Sequence, residues 1–526
     1  MAVPSRTLSR GDQQTQRRWA TEILGATVAL SMSIGAVSHL ASSERAALLF
    51  SDGDSLINVL IARSLHAEQA QDWVFSSVLF MPEFIVYYVL SLLNLPVMAT
   101  LALNAIVNLL ALYAAIRYLA AVGRSHTAAI LASLLALGAF NLFIMLESSN
   151  NRDSFELASL MATTTYYSAS VIGAVVTLGV VLRIVARNSG LPWAHTALLV
   201  VVVAGSTMTN PIFLAWSVAP LIALTIVLVL MQRISNVAAF HVLCAMLGGS
   251  IIGLAARVPL SDSIANSGVG YIRPADWQLS LDYYGELLGE RAETPQGTAA
   301  LALLVMLVAV SLALTAHALT TRSVESTYLA AAAWFVPLVV CIGALAAGTH
   351  AARYLQPVLF MPVLALILVP SVLPPASEVL ARSWSAVGAA FVALGITVVA
   401  VVTVPRLIDV VSAETPSPAL QCVTEWVDSS GRTGAGQFWT IRAAKAYVQH
   451  GEQLVQVDHR LNPYHWLVNR ADYRQASVSF LITDSQTPDF ELPDEVAASA
   501  VATINCGDYT ITDFGERRLE LGEPHS

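Results

Sequence analysis

The sequence predicts an α-helical polytopic membrane protein, with about eleven transmembrane helices followed by a small extracytoplasmic α/β domain. Three observations predict it. Of the 526 residues, 56% are hydrophobic and 12% charged, with a mean hydropathy of +0.64, and that much apolar surface can be buried only in lipid. Apolar runs long enough to cross about 30 Å of hydrocarbon recur from residue 21 to residue 404 and then stop. Arginines fall in alternate loops, while the loops between them carry carboxylates and aromatics. The net charge of −9 argues against a nucleic-acid partner.

The runs are 21–40, 96–119, 127–146, 167–186, 193–208, 212–231, 237–256, 299–319, 329–347, 354–373 and 385–404. With Arg6, Arg10, Arg17 and Arg18 of the N-terminus in the cytoplasm, the inner loops hold Arg117 and Arg124, Arg183 and Arg187, Arg233, Arg322 and Arg382. Every inner loop is then basic, as the positive-inside rule requires. This makes the chain a multi-pass protein of the cytoplasmic membrane. Loops 42–95, 147–166, 257–297 and 348–353 lie outside, together with the C-terminal segment. The first run exceeds the roughly 7–15 apolar residues of a signal-peptide core and reads as a retained span.

Residues 1–404 form the membrane module and 405–526 the extracytoplasmic domain, where about half of the carboxylates lie and no further span occurs. Runs 454–457 and 477–482 read as strands, 440–450 as a helix and 504–514 as a hairpin. Cys422 and Cys506 fall near the two ends of this domain and, outside the reducing cytoplasm, suit one disulfide. Cys244 and Cys341 lie in apolar runs and read as core residues. The glycine-containing run Gly434-Ala435-Gly436 reads as a turn, being too short for a phosphate-binding loop.

The run with most chemistry in it is Ser51-Asp52-Gly53-Asp54, just after the first span. A helix over 55–65 follows, and Asp54 at its start fits an N-cap. A carboxylate there also suits a general base that takes a proton from an attacking hydroxyl. Spacing leaves both roles open. Residues 79–88, with Phe80, Pro82, Tyr87 and Tyr88, are apolar but too short to span, and read as an interfacial helix.

Asp54-Ser55-Leu56-Ile57-Asn58-Val59-Leu60-Ile61-Ala62-Arg63, then Asp72-Trp73, then Pro82 with Tyr87-Tyr88, resembles the first outer loop of the GT-C superfamily of membrane glycosyltransferases. That class holds the protein O-mannosyltransferases and the aminoarabinose transferases of lipid A. The late run Arg353-Tyr354-Leu355-Gln356-Pro357 looks like an element of the same superfamily in which a basic residue faces the phosphate of a polyprenyl-linked donor. Arginine suits that task because its planar fork binds phosphate oxygens bidentately. The resemblance implies an enzyme that takes a sugar from a polyprenyl-phosphate carrier to a glycan, lipid or protein acceptor, with inversion. In it Asp54 is the base and Arg353 holds the donor phosphate beside His350 and Tyr354. Two departures stand out: the family's Asp-Glu pair is replaced by Asp52 and Asp54 flanking Gly53, and its double proline is reduced to Pro82. Asp52 therefore stays a second candidate base.

Asp153 is a third acid, expected to orient the acceptor or to contact a divalent cation, the one cofactor with a candidate ligand; a solvated loop acid is the plainer reading. Tyr271, Arg273, Trp277 and Trp73 combine aromatic faces with polar groups, which suits sugar binding and equally an interfacial belt. The rival functions are a transporter or flippase of lipid-linked substrates, which places ionisable groups within its spans, and a non-catalytic envelope scaffold.

Overall fold

The computed structural model describes residues 10–186, 193–266, 268–372, 393–475 and 477–526. Arg6, Arg187, Arg382 and residues 385–392 of the last expected span lie outside the described residues.

Among the described residues, eight helices are long and apolar enough to cross a membrane: Gln14–Ala41, Val97–Ala120, His126–Met145, Ser168–Val185, Asn236–Ala255, Pro295–Thr321, Val324–Ala346 and Ala393–Val411. Three shorter apolar helices, Trp193–Thr209, Leu214–Leu230 and Ala352–Leu368, lie where further spans are expected. The chain is thus an α-helical polytopic membrane protein with a small mixed C-terminal region. Large apolar side chains stay exposed along the helices, among them Leu131, Val201, Phe240, Ile251 and Val305, which is the arrangement lipid requires. Cys244 is exposed on Asn236–Ala255 and is not the core residue expected. Met81–Ser91 is an 11-residue helix, too short to span, with Ile85 and Val89 exposed and Glu83 and Tyr87 buried.

The connections sort to two ends. Arg117 pairs with Glu22, and Arg183 donates to the Tyr118 carbonyl at 2.7 Å, so arginine-bearing segments meet at one end. At the other end the remaining loops knit together. Phe75 N–H donates to Ser263 at 2.7 Å, Arg257 donates to the Ser77 carbonyl at 2.7 Å, and the C-terminal segment closes over them.

The C-terminal region carries a five-stranded sheet in the order Leu454–Gln456, Gly434–Gly436, Phe480–Asp484, Tyr509–Asp513, Ala502–Cys506. The first three strands run parallel and the last three antiparallel, Ala502–Cys506 and Tyr509–Asp513 forming a hairpin. Gly434–Gly436 is therefore a strand between two others, not a turn. A Cβ on Gly434 would fall 2.0 Å from the Phe480 ring, so glycine is what lets that strand pack. Cys422, on the helix Pro418–Ser430, is bonded to Cys506. Trp73–Val74 of the first loop pairs antiparallel with Val468–Asn469, Arg470 bonds Asp72 at 2.6 Å, and Arg63 donates to the Ala446 and Gln449 carbonyls at 3.0 and 3.1 Å. The first loop and the C-terminal region are one packed body.

Candidate active site

The helix that follows the acidic run begins at Ile57, with Asp52 through Leu56 in turns before it. Asp52, not Asp54, holds those turns. Its Oδ1 accepts the Ser55 N–H at 3.0 Å and the Tyr166 hydroxyl at 3.0 Å, while its backbone carbonyl accepts Leu56 N–H at 3.2 Å. Burial, and then the neighbouring charge of Asp54, push the Asp52 carboxyl up to about 6, against the pull of Ser55, Arg152 and Tyr166. The Asp54 carboxylate accepts no hydrogen bond from the described residues and is half-buried. Leu56 is the N-cap and no side chain caps the helix, so Asp54 does not have the capping role expected of it; Asp52 holds the preceding turn and the Asp54 side chain is left available.

Asp54 lines a narrow cleft of about 430 Å³, its mouth included, with Ser76, Ser77, Phe80, Thr165, Tyr166, Tyr167, Tyr271, Arg353, Trp466 and Leu467. Phe80 and Tyr167 each stand immediately before a helix with positive φ, 49° and 71°. Such a backbone costs a bulky residue about 1–3 kcal/mol and is maintained only where surrounding packing dictates it. Both rings are buried in the cleft wall. The Thr165 hydroxyl in the same wall is buried with no partner among the described residues.

Arg353 opens the helical segment Ala352–Leu368, so its guanidinium stands at a helix end facing the cleft. Tyr167 lines the same cleft near its charge, and the Tyr166 and Tyr354 rings lie 5.9 and 5.8 Å away. The Arg353 backbone is fixed from a distance. Asp153 Oδ1 accepts the Ala352 N–H at 3.0 Å, and Asp153 Oδ2 accepts the Tyr283 hydroxyl. Ser280 donates to the Thr349 carbonyl at 2.7 Å, and Gly348, at φ +63°, sits so close to the Arg273 carbonyl that a Cβ would meet it at 1.9 Å. Loop 147–166 is itself shaped by buried cations: Arg45 donates to Ser159, to the Ser149 carbonyl and to the Glu156 carbonyl, and Arg291 pairs with Glu156.

Of the expected site residues, Asp54, Tyr271 and Arg353 share the cleft, with Tyr354 beside the guanidinium. Asp52 lies behind it as the holder of the turn. Asp153 has both oxygens engaged within the chain, so the geometry makes it a positioning residue in place of an acceptor-orienting acid. Among the described residues no three His, Cys, Asp or Glu side chains converge on a point around it or elsewhere. His350 is exposed and meets the Tyr283 ring edge-on at 5.5 Å, outside the cleft. Arg273 is exposed, bonding the Gly270 carbonyl at 3.3 Å, and Trp277 is half exposed at the start of its helix. Trp73 lies in a separate depression with Arg63, Lys445 and Asn469, its indole N–H donating to Gln71 at 2.9 Å. Sequence reasoning missed Tyr166, the link between Asp52 and Arg353, and Arg442, whose Nε donates to the Gly53 carbonyl at 2.6 Å. Nothing in the sequence marks either of them.

No family profile matches the chain, and no curated protein matches it. Among solved structures it is similar to the archaeal oligosaccharyltransferase AglB from Archaeoglobus fulgidus in complex with an inhibitory peptide and a dolichol-phosphate. That similarity has 11% identity, covers 90% of this chain and 70% of that one, and has a TM-score of 0.45. The apo form of the oligosaccharyltransferase from the same organism is similar at 12% identity over 89% of this chain and 69% of that one, TM-score 0.45. The complex of that enzyme with Zn and sulfate is similar at 12% identity over 87% and 68%, TM-score 0.43.

Proposed function

We propose that the chain is a membrane glycosyltransferase that moves a sugar from a polyprenyl-phosphate carrier to a hydroxyl of a glycan, lipid or protein acceptor on the outer face of the cytoplasmic membrane. One observation carries the reading: an unencumbered carboxylate, Asp54, and a half-buried guanidinium, Arg353, line the same narrow cleft at the ends of apolar helices. A phosphate anchored by a lipid tail arrives at that level, and the positive-inside pattern of Arg117, Arg124, Arg183, Arg233 and Arg322 supports an outer cleft.

In this reaction Asp54 accepts the acceptor proton as its oxygen attacks the anomeric carbon. The bond from that carbon to the carrier phosphate breaks in the same displacement, inverting the configuration. The negative charge left on the phosphate is met by Arg353, whose backbone is held by the Asp153–Ala352 contact, so little reorganisation is needed as it develops. Tyr271, Trp466 and Phe80 offer ring faces to the sugar, and Thr165 a hydroxyl with no partner among the described residues. The test is transfer of radiolabelled sugar from polyprenyl-phosphate donors to a membrane extract by purified protein, wild type beside Arg353→Ala. Labelled product from the wild type alone supports the proposal; a wild type silent with every such donor contradicts it.

A further inference from the structure

We infer that the C-terminal helix Phe438–Tyr447 is a working part of the cleft, with Arg442 as the positioning residue that aims Asp54 into it. The inference rests on the proposed transfer reaction and adds to it a residue far away in sequence, on a segment outside the membrane module.

Arg442 is 1% exposed. Its Nε donates to the Gly53 carbonyl at 2.6 Å, between the two aspartates, and its Nη1 donates to the Leu467 carbonyl, in the opposite wall of the cleft. One guanidinium therefore fixes the base-bearing turn and the wall facing it relative to each other. The contact is supported on all sides. A Cβ on Gly53 would come within 3.0 Å of the Trp439 ring and 3.1 Å of Phe438, so the turn lies close against that helix and a larger residue would have to push those rings aside. Arg152 stacks on the other face of the arrangement, 3.4 Å from the Trp439 ring centre and 3.7 Å from Asp52.

A neutral donor would hold a carbonyl as well, so the charge needs its own reason. No carboxylate lies within ion-pair distance of Arg442 among the described residues, and its Nη2 has no hydrogen-bond partner. Burial pushes the guanidinium down to about 10, leaving it charged at neutral pH, and the negative groups that oppose this are first Asp54 and then Asp52. A buried, unpaired cation is costly unless nearby charge compensates it. Here the compensating charge is the pair of aspartates in the turn it holds. That is the arrangement expected of a side chain that orients a catalytic carboxylate, not of one that merely glues a domain to its neighbour.

Docking alone is the task of other contacts on the same helix, and they supply the control. Tyr447 donates to the Phe50 carbonyl at 2.7 Å, away from the cleft. In the transfer assay, Arg442→Gln is expected to lower kcat by about 30- to 100-fold with the donor KM within about threefold, a loss typical of a misaimed catalytic group. Arg442→Lys, which can reach one of the two carbonyls, recovers part of it, and Tyr447→Phe stays near wild type. Arg442→Gln with wild-type kcat, or Tyr447→Phe losing activity in parallel with it, overturns the inference. A wild type with no transfer activity overturns the proposed function alone. Amide hydrogen exchange then decides the positioning role: faster exchange at Ser55 and Leu56 in Arg442→Gln but not in Tyr447→Phe upholds it, and unchanged exchange in both refutes it.

Discussion

The Tyr166 hydroxyl donates to Asp52 across 3.0 Å, and this contact separates the two aspartates of the first loop. Asp52 is committed to holding Tyr166 and the Ser55 amide, whereas Asp54, two residues on, projects into the cleft opposite Arg353. Because the Tyr166 ring also lies 5.9 Å from the Arg353 guanidinium, one tyrosine sets the spacing of the turn that carries Asp54 and of Arg353.

Asp153 acts on that spacing from the far side of Arg353. Asp153→Ala releases the Ala352 amide and the Tyr283 hydroxyl together, so turnover is expected to fall by about 10- to 100-fold through misplacement of Arg353. Tyr283→Phe is expected to give a smaller loss. The double variant should lose much less than the product of the two, since both act on one amide; steady-state kinetics of the four proteins measure the coupling, and full additivity would show the contacts to be independent.

Glu83 gives a pH-dependent stability. Burial raises its carboxyl from 4.5 to about 7, only partly offset by its own N–H and that of Ala169, which donates at 3.2 Å. The folded chain then holds this proton more tightly than the unfolded one, so its stability declines as pH rises from about 4.5 to about 7 and stays reduced above that. Glu83→Gln keeps the oxygen that accepts the Ala169 amide. It is expected to raise thermal stability at pH 8, by the order of 2 kcal/mol, and to change little at pH 4. A stability difference independent of pH, read from melting curves in detergent, would contradict this.

Arg63 caps the C-terminal end of Phe438–Tyr447, where its charge also complements the helix dipole. Arg63→Ala leaves those carbonyls without a charged donor, and a loss of about 2–3 kcal/mol is expected. The measurement is the melting temperature in detergent together with protease cleavage after residue 447. Unchanged values for both would remove Arg63 from the docking of the C-terminal region.

Much of this architecture is legible in the sequence, because lipid imposes long uninterrupted apolar runs and leaves charge only at their ends. The helices Val97–Ala120 and His126–Met145 fall within a residue of the apolar runs that mark them. The strand at Gly434–Gly436 is not legible: glycines signal turns in isolation, and only the Phe480 ring packed against them explains their presence in a sheet. The site divides in the same way. Asp54 and Arg353 stand in motifs, so their types and offsets mark them before any coordinates. Tyr166 and Arg442 act through contacts spanning 114 and 389 residues of sequence, and no local pattern carries that information. His350 neighbours Arg353 in sequence yet faces out of the cleft, because the turn that follows Gly348 directs it onto Tyr283.

The central claim is that Asp54, and not Asp52, takes the acceptor proton. The most direct test compares transfer from a polyprenyl-phosphate-linked sugar by wild type, Asp54→Asn and Asp52→Asn, each checked for an unchanged melting temperature. An asparagine at position 52 still accepts from Ser55 and Tyr166 through one oxygen, so Asp52→Asn is expected to keep activity within about tenfold, whereas Asp54→Asn should lose about 10²- to 10⁴-fold. Activity surviving in Asp54→Asn and lost in Asp52→Asn would contradict the account.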